Sequence, residues 1–106
     1  MRKITIKRNK TFVGSLMKIK IYIVDSNSEE IIIRGERCKK IGDVKNNDFL
    51  TFELDENAHR IYAIVDTLSK DTCCDNFDIP IGNDDILITG KCKFSPFKGN
   101  PFMFDK

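Results

Sequence analysis

His59 is the only histidine among the 106 residues, so nucleophilic catalysis with an imidazole base would have to run through it. Such catalysis needs the base within hydrogen-bond reach of a nucleophile and an acid that orients the ring. Cys73, Cys74 and Ser15 are the nucleophiles that can be imagined beside His59, and no spacing nominates one of them. The expected role of His59 is to tie down local backbone at a turn or strand end. A zinc site would need His59 with three of the four cysteines, Cys38, Cys73, Cys74 and Cys92, and no pair has C-x-x-C spacing. Asp71, Asp75 and Asp78 lack the one-three-five spacing of a calcium loop. Paired carboxylates for glycoside cleavage need a cleft, and a chain this short offers little room for one. No G-x-x-x-x-G-K or G-x-G-x-x-G segment is present to cradle phosphate. The expectation is a protein with no catalytic residue, no cofactor and no metal.

The cysteines leave two readings open. Cys73 and Cys74 are adjacent, and adjacent side chains of a strand point to opposite faces, which opposes a bond between them. With no secretion signal at the basic N-terminus, all four are read as thiols. The rival is one long-range bridge, with Cys38 to Cys92 the simplest candidate. The expected location is cytoplasmic, with a trimmed secreted form as the alternative. No segment approaches the roughly 18 apolar residues of a membrane helix.

The net charge of +2 is too small to imply a polyanion partner by itself. Its distribution is uneven. Residues 1–20 hold Arg2, Lys3, Lys7, Arg8, Lys10, Lys18 and Lys20 and no acid, while residues 66–85 hold six aspartates against Lys70. Opposed patches can steer a partner or join two copies, or simply keep two faces solvated. A basic patch of Lys3, Lys7, Lys18 and Lys20, with Tyr22 as a stacking ring, would suit single-stranded nucleic acid.

The elements that must carry these residues read as strands. Ile4 and Ile6 alternate with Lys3, Thr5 and Lys7, and Ile19, Ile21 and Ile23 alternate with Lys18, Lys20 and Tyr22. Phe12, in the connection between them, is expected to plug a core edge. Further strands follow over 29–34, 37–44, 49–54, 59–66, 77–81 and 85–93. They are separated by Asp-Ser-Asn-Ser, a Gly35-Glu36 hairpin tip, an Asn46-Asn47-Asp48 turn and similar signals. Gly42 marks a bulge, and Pro80 marks an edge strand. No 11-residue window shows helical spacing. With 41% hydrophobic and 32% charged residues, one globular domain is expected. The fold class is all-β: an antiparallel β-sandwich of about seven or eight strands, immunoglobulin-like in architecture.

Residues 1–93 form that domain, and residues 94–106 form a different, irregular tail. It carries Phe94, Phe97, Phe102, Met103 and Phe104, broken by Pro96 and Pro101. Burying each ring contributes roughly 1.5–3 kcal/mol, so the tail should dock on its own domain or on another chain. These five side chains are the candidate interface.

Three stretches, KIKIYIVD over 18–25, IGDVKNND over 41–48 and NAHRI over 57–61, resemble the PEGA-like group of small bacterial β-sandwich domains. The resemblance spans roughly residues 12–66. It implies a non-enzymatic sandwich, often an accessory or surface-associated module, and carries over no binding residue. The functional expectation is therefore a binding or interaction module that associates with itself. The alternative is the single-strand-binding β-domain described above.

Overall fold

The computed structural model describes residues 1–12, 15–65, 75–93 and 102–105. It is all-β, with nine strands in two sheets and no helix among the described residues. The strands are β1 (Arg2–Arg8), β2 (Ile19–Val24), β3 (Ile31–Ile33), β4 (Glu36–Val44), β5 (Phe49–Leu54), β6 (His59–Val65), β7 (Asp75–Ile79), β8 (Ile86–Cys92) and β9 (Phe102–Phe104). The four-stranded sheet has the order β5-β1-β8-β9, and the five-stranded sheet the order β3-β4-β2-β6-β7. The sheets pack face to face.

Period-two alternation places the interior. Ile4 and Ile6 from β1, Ile19 and Ile21 from β2, Val44 from β4 and Ile61, Ala63 and Val65 from β6 meet Ile88 from β8 in one core. β6 has a neighbour on each side and buries both faces. Its other face joins Tyr62 and Ile64 to Tyr22, Ile33 and Cys38 in a second apolar cluster. Asn47 takes a positive φ of 61°, as an Asn-rich turn allows. The β2–β4 register shifts between Ile21 and Tyr22, leaving Ile41 extra beside Gly42, where a bulge was expected.

Several expectations are corrected. The sandwich is not wholly antiparallel: β1 pairs with β8 in parallel, from Ile4↔Ile86 to Arg8↔Gly90. A parallel neighbour needs a long crossover, and here nearly the whole chain intervenes. The described residues form nine strands rather than seven or eight. The first hairpin turns at Arg34 and Gly35, both at positive φ, and Glu36 already belongs to β4. Phe12 plugs nothing and is 96% exposed. Cys38 and Cys92 are both free buried thiols, so the bridge between them is absent. Burial pushes both thiols above their ordinary range.

The tail is regular at its end. Residues 94–101 and 106 lie outside the described residues, whereas Phe102–Phe104 form β9, antiparallel to β8. Phe102 is fully buried and Phe104 nearly so. Their rings meet edge to face at 5.2 Å, and Phe77 meets Phe104 at 5.9 Å. Gly90 makes the close approach possible, since a Cβ there would sit 2.5 Å from Phe102 Cζ. Asp75 of β7 accepts the buried Phe104 N–H at 2.8 Å and so ties the outermost strands of the two sheets together.

Arg2 and Arg8, counted in the sequence as surface charge, are buried at the two ends of the β1 inner row. The signal was present: both share the parity of Ile4 and Ile6. A buried cation persists only with hydrogen bonds around it. Arg2 Nη2 donates to the carbonyls of Asn57 at 3.1 Å and Pro80 at 2.6 Å. Arg8 donates to the carbonyls of Met17 and Val44 and to Cys92 Sγ at 3.4 Å. The two side chains pin the ends of β1 to backbone of the opposite sheet and its connections.

Phe102→Ala should lower unfolding stability by about 3–5 kcal/mol, the usual cost of emptying a buried ring site. Urea denaturation checks this. A loss under about 1 kcal/mol would place the ring outside the core.

Candidate functional site

The residues nominated by sequence do not assemble into one surface. In the tail set, Phe94 and Phe97 lie outside the described residues. Phe102 and Phe104 are committed to the chain's own core, and Met103 is half-buried on β9. The basic set is divided between the sheets. Lys3 and Lys7 project from the outer face of β1, while Lys20 and Tyr22 lie on β2 in the other sheet and Lys18 precedes it. Tyr22 stands directly across from Tyr62 and is 8% exposed, so its ring is closed to a stacking base. Lys7 is held by Asn47, through the carbonyl at 2.8 Å and Oδ1 at 3.1 Å.

His59 opens β6 and bonds through Nε2 to Asp55 Oδ1 at 2.8 Å. The same carboxylate oxygen accepts the Asn57 N–H at 2.9 Å. These bonds clamp the β5–β6 turn, the role the sequence suggested. The His59 contact, above all, holds the Asp55 carboxyl below its ordinary range.

An open cavity of about 480 Å³ lies beside this turn, lined in part by Val24, His59, Arg60, Asp78 and Pro80. Its polar groups are already satisfied by one another. Arg60 donates through Nε to Asp78 Oδ1 at 2.7 Å and through Nη1 to Glu36 Oε1 at 3.0 Å. Tyr62 OH donates to the same Glu36 oxygen. The Tyr62 bond, with Arg60 beside it, lowers the Glu36 pKa. Burial and the Glu36 contact push Tyr62 up to about 12. A network closed on itself holds three strands, β4, β6 and β7, and presents few groups to a ligand.

The edges of the sheets offer more. β3 and β9 are three residues long. β7 carries Asp75 and Asp78, ends against Pro80 and is tied to β9. The part of β4 beyond its β3 partner carries Lys39, Lys40 and Asp43 and a bulge, and the Lys40 N–H is taken by Glu30 at 2.9 Å. Short length, charge, proline and bulges are the devices that stop edges from pairing. β5 has almost none of them. Its six residues, FLTFEL, hold one charge and no proline, and pair with β1 in unbroken register.

The hydrogen-bond phase of β5 follows from one bond. Arg8 donates its main-chain N–H to the Asp48 carbonyl at 2.9 Å, which makes Arg8–Asp48 a hydrogen-bonded pair. Every second pair onward, Ile6–Leu50 and Ile4–Phe52, is then of the same kind. Leu50 and Phe52 therefore turn their amides to β1. Phe49, Thr51 and Glu53 turn theirs to the open edge. The Phe49 N–H, so directed, is capped by Asp48 Oδ1 at 2.8 Å. Thr51 and Glu53 have no main-chain partner there among the described residues.

Beneath this edge the seam between the sheets is open. A groove of about 290 Å³ lies there, lined by Ile23, Ile41, Phe52 and Leu54 with Lys40 and Glu53 at the rim. Above it, Phe49 is 62% exposed opposite Lys7, and Leu87 is 66% exposed beside Thr5. The strand over 49–54 was expected, whereas its place at a sheet edge was not, because edge position is a property of topology. The one local hint was the low charge of FLTFEL beside its highly charged neighbours. No family model, curated protein or solved structure matches the chain.

Tyr62 predicts a pH effect. Its folded pKa lies above the unfolded value near 10. The stabilisation this gives is complete below about pH 10 and is lost as pH rises towards about 12. Tyr62→Phe should flatten the fall in stability between pH 9.5 and 11.5, read by urea denaturation as about that interval is crossed. An unchanged slope would show that the Tyr62 hydroxyl titrates in the fold as it does in the unfolded chain.

Proposed function

We propose that this domain is a non-enzymatic interaction module that binds by adding an extended strand to β5. The carrying observation is the outward N–H and C=O of Thr51 and Glu53 on a regular, weakly charged edge. Added strands gain affinity from main-chain bonds and specificity from alternate side chains. Here one set of side chains would enter the groove of Ile23, Ile41, Phe52 and Leu54, and the other would lie beside Phe49 and Thr51. An immunoglobulin-like, PEGA-like placement of the sandwich belongs to the same reading. Its support is a pair of face-packed sheets whose neighbours are largely non-consecutive in sequence.

Self-association belongs to this reading too, because an edge that pairs with a foreign strand can pair with its own kind. Single-strand binding through Lys3, Lys7, Lys18, Lys20 and Tyr22 has weaker support, since two sheets share those residues and the ring is buried.

Panning a phage library of random heptapeptides against the immobilised domain tests the module. Selected peptides should shift the amide resonances of Thr51 and Glu53 more than those of Leu50 and Phe52. Binders that map to another face, or a library that yields none, would contradict it.

A further inference from the structure

Resting on the β5 reading, we infer that the strand added to β5 is β5 of a second copy, antiparallel, with Thr51 on the two-fold axis. An isologous interface requires a surface complementary to itself, and the β5 edge meets that requirement in its hydrogen bonds, its side-chain rows and its charges.

The hydrogen bonds fix the register. The outward residues are Phe49, Thr51 and Glu53, evenly spaced about Thr51. Turning the strand about an axis at Thr51 sets Thr51 against the partner subunit's Thr51, and each exchanges both main-chain bonds with the other. Phe49 then faces Glu53 of the partner subunit, and that pair also exchanges both bonds. The Phe49 N–H passes from Asp48 Oδ1 to the partner's Glu53 carbonyl. Centring the axis on Leu50 or Phe52 would carry one outward residue of each strand past the end of the other, so Thr51 is the centre that uses all three.

The side chains agree with this register. On the outer face, Thr5 and Thr51 already bond through their hydroxyls at 3.1 Å. The axis continues that row as Thr5, Thr51, the partner's Thr51 and the partner's Thr5. Threonine pairs across strands are favourable. The next row runs Lys7, Phe49, the partner's Glu53 and the partner's Lys3, because Lys7 is opposite Phe49 and Lys3 opposite Glu53 within each copy. Glu53 thus lies between a lysine of its own chain and an aromatic ring of the other. No like charges meet. On the inner face, Leu50 stands opposite the partner's Phe52 at the closer, non-hydrogen-bonded spacing and extends the apolar groove across the axis. The product is a continuous sheet in which the two β5 strands lie at the centre and β9 closes each end.

An edge-to-edge contact is small, so the dimer should form in roughly the micromolar range rather than at nanomolar concentration. Light scattering of the full chain over a dilution series tests it. The mass should rise from 12.2 kDa towards twice that value as concentration increases. Thr51→Pro deletes the central donor on the outward side, where proline is tolerated, and should hold the mass at the monomer value while the far-ultraviolet spectrum stays β-rich. Thr51→Cys supplies a second readout that does not depend on the proline variant folding. A hydrogen-bonded pair has its Cα atoms about 5.5 Å apart, within disulfide reach. Mild oxidation should therefore give a covalent dimer beyond whatever the wild-type cysteines form. A wild type that stays monomeric to about 1 mM, or a dimer that forms as well with Thr51→Pro and does not trap with Thr51→Cys, would overturn the two-fold pairing. Monomeric protein whose Thr51 and Glu53 amides still respond to selected peptides would remove the dimer and leave the module intact.

Discussion

The register of β1 is the constraint on which the rest of the structure depends. β1 lies between an antiparallel neighbour, β5, and a parallel one, β8. Its inner row runs Arg2, Ile4, Ile6, Arg8, and all four side chains are buried. A slip of one residue would exchange this row for Lys3, Thr5 and Lys7 and turn lysines into the core. The arginines make the placement sharper than isoleucines alone would. Each guanidinium needs the particular carbonyls that surround it, those of Asn57 and Pro80 at one end and of Met17 and Val44 at the other. Moved along the strand, a buried cation would lose its acceptors, at a cost of several kcal/mol.

From that register the asymmetry of the sandwich follows. On one side, β7 and β9 are joined by the Asp75–Phe104 bond, and the phenylalanine rings fill the space between the sheets. On the other side, the Leu50 side chain packs against Gly42, and beside it a groove remains between Ile41 of β4 and Phe52 of β5. The sealed side uses the most hydrophobic residues of the tail. The open side carries a strand whose alternate main-chain groups face outward. Charge, brevity and proline disarm the other edges, and β5 alone among the described edge strands is left long and regular. The capacity to bind a strand is thus a consequence of where the core was closed.

Much of the core was legible in the sequence. The rows of Ile4 and Ile6, of Ile19 and Ile21 and of Ile61, Ala63 and Val65 were all visible as period-two alternation, because a half-buried strand writes its burial into its own residues. Turns at Asn47 and the bulge at Gly42 were visible for the same local reason. What depends on distant partners was not. The parallel pairing of β1 with β8 joins residues more than eighty positions apart, and nothing in either strand announces it. The tail showed that four rings needed cover, but Gly90, which makes room for the Phe102 ring, and Asp75, which accepts the Phe104 N–H, could not be connected to it by spacing. Arg2 and Arg8 were read as solvated because residue type was weighed above position. The basic patch failed as a unit because Lys7 and Tyr22 belong to different sheets.

Residue-resolved amide hydrogen exchange along β5 tests the β1–β5 register most directly. In dilute protein, the Leu50 and Phe52 amides should exchange slowly and those of Thr51 and Glu53 quickly, with Phe49 between them because of its Asp48 cap. Slow exchange at Thr51 and Glu53 together with fast exchange at Leu50 and Phe52 would reverse the strand's phase and contradict the account.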